Sequence, residues 1–172
     1  MVAVVNFGGQ YAHLITRRVR DLEVKSELIA PDIKIKDLIN LKPQALILSG
    51  SPNSVYEPTA PILDPKIYEI GIPILGICYG HQLMAYQLSG RVSSHQEKQF
   101  GKEILQTRPS PLFANLSTKE TVWFSHGDHV DKMPSGFEAI ASTKNAKIAA
   151  MQNLDKKFFG IQFHPEVTHT TH

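Results

Sequence analysis

The chain has 172 residues, 42% of them hydrophobic, which is the size of one compact domain with enough apolar material for a core without disulfides or metals. Its net charge is +2, with no basic stripe interleaved with aromatics, so a nucleic-acid partner is not expected. A single cysteine excludes an intramolecular disulfide and fits a reducing compartment. No apolar run approaches a membrane span, and the opening Met1 to Val5 lacks a charged leader, so a cytoplasmic protein is expected.

The first half reads as short strands alternating with helices. Val2 to Val5 is a continuous apolar run, as in a buried parallel strand. After Gly8-Gly9, Leu14, Ile15, Val19 and Leu22 recur at helical spacing, and Arg17, Arg18 and Arg20 read as a solvated helix face. Val24 to Ile29 is a second strand with Lys25 and Glu27 outward. A short helix spans Ile35 to Ile39, and Ala45 to Leu48 is a third strand. Ser49 to Pro61, rich in Gly, Pro, Ser and Asn, is a loop. A helix is predicted over Ile62 to Ile70, a strand over Pro73 to Ile77, and a helix over Gly80 to Leu88 that stops at Gly90. From Val92 onward the pattern changes to strands joined by turns: Glu103 to Thr107, Val122 to Ser125, Phe137 to Ser142, Ile148 to Gln152 and Phe158 to Phe163.

Such alternation implies an α/β fold with a central, mostly parallel mixed sheet flanked by helices, and antiparallel additions from the second half. Sites in these sheets lie beyond the carboxyl ends of the strands. The loops Ser49-Gly50-Ser51-Pro52 and Gly76-Ile77-Cys78-Tyr79-Gly80 both follow predicted strands and should open onto one edge. Repeats, low-complexity tracts and linkers are absent, so one domain over residues 1–172 is expected.

Gly76-Ile77-Cys78-Tyr79-Gly80 sets the only cysteine on a sharp strand-to-helix turn, as in the nucleophile elbow of hydrolases. The glycines two positions either side provide the room. The N-terminus of the following helix favours a thiolate and can hold a developing oxyanion. A lone cysteine after an apolar strand is otherwise a small buried hydrophobe; the flanking glycines favour the nucleophile. Its proton partner is His164, at the end of the apolar run Phe158 to Phe163. In extended chain, residues two apart face one side, so Glu166 can accept from the imidazole and fix its tautomer. His13, His81, His95, His126, His129, His169 and His172 read as surface or packing residues. No repeated ligand spacing suggests a metal site.

Gly-Ile-Cys-Tyr-Gly-His-Gln at Gly76 to Gln82, together with His164-Pro165-Glu166, resembles the class I (triad-type) glutamine amidotransferases, whose fold is flavodoxin-like. Phe7-Gly8-Gly9-Gln10-Tyr11, Leu48 to Pro52, Phe100-Gly101, Ser125-His126-Gly127-Asp128 and Gln162 to Thr170 narrow the resemblance to the glutaminase part of GMP synthases. The resemblance covers essentially the whole chain.

It implies that Cys78 attacks the side-chain amide of glutamine, His164 protonates departing ammonia, and water then hydrolyses the thioester. The backbone N–H groups of Ser51 and Tyr79 take the oxyanion positions. Gln82 matches the side chain holding the amino-acid end of the substrate, and Gly50, Gly127 and Asp128 match pocket positions. Three departures stand out. Ser51 replaces the usual Gly and resists a peptide flip, Asn6 replaces Asp, and the sequence ends at His172 where family domains usually continue with a closing helix, which suggests truncation or a divergent terminus. The family's pyrophosphate loop and a Walker-type loop are both absent, so no cofactor is expected here. ATP and Mg²⁺ belong on a separate synthetase that aminates XMP, docking through a Gly127 to Val130 loop and the Phe100 to Lys102 segment. Two alternatives stay open: a γ-glutamyl thiol hydrolase with a wider pocket, and a flavodoxin-like binding module with an inert Cys78.

Overall fold

The computed structural model describes residues 1–171, and their side chains except for residues 95–99; His95 and His172 therefore lie outside the described side chains. Strands β1 (Val2–Val5), β2 (Ser26–Ile29), β3 (Ala45–Leu48), β4 (Ile74–Ile77), β5 (Arg91–Thr107), β6 (Lys119–Lys132), β7 (Glu138–Ser142), β8 (Ala150–Asn153) and β9 (Phe158–Ile161) form one sheet in the order β2-β1-β3-β4-β9-β8-β7-β5-β6. The first five strands of that order run parallel, and the remaining pairings are antiparallel. The mixed α/β sheet expected from the sequence is the observed one.

Successive residues of the parallel strands face opposite sides. Ala3, Val5, Leu46, Leu48 and Ile74 enter one core with Leu83 and Met84 of helix α3 (Tyr79–Gln87) and Leu38 of α2 (Ile35–Asn40). Val4, Ile77 and Ile161 enter the other with Ile15 of α1 (Ala12–Asp21) and with Leu105, Val122 and Phe124 of the β5–β6 hairpin. Helix α3 touches β3, β4 and β9 and also β5 and β6. Tyr79 to Ala85 are all buried, so this helix shows no amphipathic stripe in sequence.

Two expectations are corrected. Only Pro65–Glu69 of the predicted Ile62 to Ile70 helix is helical, and as a 3₁₀ turn. Pro65 disfavours the α conformation at the residue before it, and Asp64 is extended at φ −56°, ψ 121° with its carboxylate capping Lys66 N–H. The Gly127 to Val130 segment is not a loop but the inner half of β6, with Asp128 and Val130 buried. The strand extends well beyond Val122 to Ser125 because its inward row is Glu120, Val122, Phe124, His126, Asp128 and Val130. Half of those buried positions are ionisable, which hides the strand from a hydrophobicity pattern.

Candidate active site

The tight turn between β4 and α3 holds Cys78 at φ 53°, ψ −104°, in the left-handed half of the map that a side chain rarely occupies. Its N–H donates to Ile161 O at 2.8 Å, binding the elbow to β9. A Cβ at Gly76 would lie 2.5 Å from Gly80 O, and one at Gly80 would lie 2.2 Å from Leu48 O. Both flanking glycines are therefore dictated by backbone approach, as the sequence pattern implied. Tyr79 opens α3, so its N–H has no acceptor within the helix.

Strands β4 and β9 are parallel neighbours, with Ile77 opposite Ile161. Cys78 and His164 therefore leave adjacent strands at the same edge. The His164 N–H donates to Trp123 O at 2.9 Å, and its carbonyl accepts from Thr170 Oγ1 at 2.6 Å. Among the described residues, the segment after Glu166 carries no helix but is tied to β6, since Thr171 N–H donates to Thr121 O at 3.1 Å. His164 Nδ1 lies 2.7 Å from Glu166 Oε1, and both side chains are almost fully buried. Arg18, expected to be purely solvated, donates from Nε to the Glu166 carbonyl at 3.1 Å, and the ring edge of Tyr11 packs against His164 at 5.1 Å between centroids.

Burial pulls the His164 pKa down, but hydrogen bonds to Cys78 and Glu166 and the charges of both outweigh it and raise it to about 10. A cationic imidazole in this position supplies the charge that a thiolate nucleophile requires. The other histidines nearby behave oppositely. Burial, aided by the charge of His126, pushes His81 down to about 3. Burial, aided by the charges of His129 and His164, pushes His126 down to about 4, so both stay neutral.

Two clefts meet at the sulfur. One of about 380 Å³ is lined by Gly8 to Tyr11, Gly50, Ser51, Cys78 and His164. The other, about 520 Å³, is lined by Ser51, Tyr56, Cys78, Gln82, Phe100 and Ser125 to Asp128. The structure thus brings the candidate catalytic, oxyanion and substrate-binding residues, apart from Tyr79 and Glu166, to a wall of one or both clefts. Gly50 abuts the base: a Cβ there would stand 3.4 Å from His164 Cε1. Ser51 keeps a negative φ, and its Oγ accepts from Asn53 N–H at 3.3 Å. Gln82 Nε2 donates to Asp128 O at 2.8 Å, while the Asp128 carboxylate accepts from Tyr56 O–H at 3.0 Å. Phe100 is 67% exposed at the rim of the larger cleft. Tyr56 was missed in the sequence, and Tyr11 and Gln162, quoted there only within motifs, were given no role; Gln162 Nε2 is 3.7 Å from Cys78 Sγ. Gln162 had a signal, since it lies two residues before His164 on the same side of an extended segment.

The family model of class-I glutamine amidotransferases matches residues 3–172. The chain belongs to that family. A glutamine-hydrolysing GMP synthase of Lactobacillus acidophilus is 51% identical over 168 residues, 96% of this chain and 33% of the relative. The namesake from Caldicellulosiruptor saccharolyticus is 49% identical over 171 residues, 99% of this chain and 34% of the relative. The chain thus spans about a third of the length of these curated relatives. Among solved structures, a Thermoplasma acidophilum protein provisionally described as a GMP synthase subunit superposes with a TM-score of 0.85 at 29% identity, covering 99% of this chain and 86% of that one. A glutamine amidotransferase of Thermotoga maritima shares the fold, with a TM-score of 0.78 at 20% identity over 96% of this chain and 76% of that one. No helix among the described residues is long and apolar enough to cross a membrane.

Proposed function

We propose that this chain is the glutaminase part of a GMP synthase, hydrolysing L-glutamine to glutamate and ammonia. The observation that carries the reading is the buried His164–Glu166 pair at 2.7 Å, whose imidazole shares a cleft wall with a cysteine on a strained strand–helix turn. Glutamine enters the larger cleft, with its amino-acid end at Gln82, Gly127 and Asp128. The Cys78 sulfur bonds to the side-chain amide carbon, and the carbonyl oxygen takes the negative charge against the N–H groups of Ser51 and Tyr79. As the carbon–nitrogen bond breaks, the imidazolium of His164 gives its proton to the leaving nitrogen, releasing ammonia and a glutamyl thioester. His164, now neutral, takes a proton from water as the hydroxide oxygen bonds to the carbon. Collapse expels the sulfur as glutamate leaves, and the imidazolium–thiolate pair is restored. Glu166 accepts from Nδ1–H and holds that tautomer.

By the same reading, the ammonia serves a separate ATP- and Mg²⁺-dependent synthetase that aminates XMP, and the fold of residues 1–172 acts as one glutaminase domain. The curated relatives are about three times as long as the chain, which supports its being one part of a larger enzyme. With Gly127 to Val130 inside β6, the exposed Phe100 to Lys102 rim is the remaining candidate for docking. The test is ammonia release from glutamine by the chain alone and with the synthetase, ATP, Mg²⁺ and XMP. Turnover that requires Cys78 and rises with the complete mixture is expected. Absence of glutamine hydrolysis under both conditions would reject the function, and hydrolysis unaffected by the mixture would reject the coupling.

A further inference from the structure

We propose that Gln162 is a positioning residue for the thiol, donating from its side-chain amide to Cys78 Sγ while Gln82 locks that amide in place. The role in turnover rests on the glutaminase reading above; the contact itself does not. Gln162 Nε2 lies 3.7 Å from the sulfur, and Gln162 Oε1 accepts from Gln82 Nε2 at 3.2 Å. The same Gln82 nitrogen donates to the Asp128 carbonyl at 2.8 Å, and an amide NH₂ has two protons for two acceptors.

The orientation of Gln162 follows from this chain of donors. Turning its amide over would set its NH₂ against the NH₂ of Gln82 and its oxygen against the sulfur. Gln162 is 1% exposed and Gln82 3%, so neither has solvent to repair such a mismatch. The backbone is equally fixed, since Gln162 N–H donates to Ala149 O at 2.8 Å. Alternation along the segment after β9 turns Phe163 into the core and leaves Gln162 and His164 both facing the elbow.

The sulfur meets two neutral groups of opposite character. Ser125 O accepts from the thiol at 3.8 Å and suits the protonated form. Gln162 offers a donor, which gains strength when the sulfur carries charge. The titratable groups around it are His164, with Glu166 behind it, and His126 on β6, which stays neutral at ordinary pH. Gln162 therefore donates to the sulfur beside His164, and Gln82 serves both the cleft and the thiol.

Gln162→Met keeps the volume and loses the donor; Gln162→Glu keeps the shape and faces the sulfur with a charged acceptor. With one cysteine in the chain, alkylation by iodoacetamide reports on Cys78 alone. The rate is followed from acid to alkaline pH beside a thermal melt and glutamine kinetics. Expected for Gln162→Met is a roughly tenfold slower alkylation near neutral pH that converges on wild type at alkaline pH, where the thiol ionises unaided, with a similar fall in kcat and little change in KM. Gln162→Glu should be slower still. Gln82→Met, which frees the Gln162 amide to turn, should slow alkylation less than either.

A folded variant whose alkylation profile superimposes on wild type overturns the proposal, as does a slowing that is uniform across pH, which would reflect access alone. A chain whose alkylation responds as expected while wild type releases no ammonia from glutamine supports the contact and overturns the glutaminase reading.

Discussion

Replacing Glu166 by Gln preserves volume and removes the charge that faces His164 inside the protein. The imidazole gains its cationic character from four contributions, two from Cys78 and two from Glu166, set against burial. A rise from 6.5 to about 10 favours the charged ring by roughly 5 kcal/mol at 1.36 kcal/mol per pH unit. The pair is almost wholly buried, with side-chain exposures of 5% and 2%, so solvent screening removes little of this. If Glu166 carries about half, the substitution costs on the order of 2–3 kcal/mol, or about a hundredfold in kcat/KM for glutamine.

His164→Ala should remove essentially all activity, because the proton carrier itself is lost. The folded pKa of His164 lies above its unfolded value. The associated stability is therefore complete below about 6.5 and is lost as pH rises through about 10. The melting temperature of Glu166→Gln should thus fall below wild type by roughly 5–10 °C near pH 6.5, and the gap should close beyond pH 10. An NMR titration of His164, ammonia-release kinetics and melts across that range test the argument. An unmoved imidazole titration, or equal losses in Glu166→Gln and His164→Ala, would refute it.

Cys78→Ala should fold and release no ammonia from glutamine. Cys78→Gly should be at least as stable as Cys78→Ala in urea denaturation, because relief of about 1–3 kcal/mol of strain at φ 53° offsets the entropic cost of glycine. Gly80→Ala should lose about 3 kcal/mol or more, since the new Cβ meets Leu48 O at 2.2 Å, whereas Gly71→Ala, with φ 77° but open space around it, should lose about 1 kcal/mol. His81 is depressed to about 3, so its contribution is present above 6.5 and lost as pH falls toward 3. His81→Leu should shift acid unfolding, followed by circular dichroism, to lower pH; an unchanged midpoint would show that His81 is not a determinant of acid sensitivity.

Local order fixed much of this molecule. Continuous apolar runs of four residues, each followed by a turn and a helix, specify parallel strands such as β1 and β4, and glycines two either side of Cys78 specify the elbow. The two-residue spacing of His164 and Glu166 specifies their shared side, as the 2.7 Å contact bears out. Resemblance added the cleft residues Gly50, Ser51, Gln82, Gly127 and Asp128, which line the two clefts at the sulfur.

The sheet order decided the rest. Only the insertion of β9 beside β4 sets the imidazole against the thiol, and no periodicity encodes which strands become neighbours. The long hairpin was illegible because β6 buries Glu120, His126 and Asp128; Ser117 bonds Glu120, and Tyr56 and Gln82 bond Asp128, which makes those two tolerable inside. Gln162 reads as an ordinary polar residue at a strand end until the fold packs it, with Gln82, behind the sulfur. Patterns along a chain report which face a side chain takes; contacts between distant segments depend on how the strands are ordered, and that order exists only in the folded sheet.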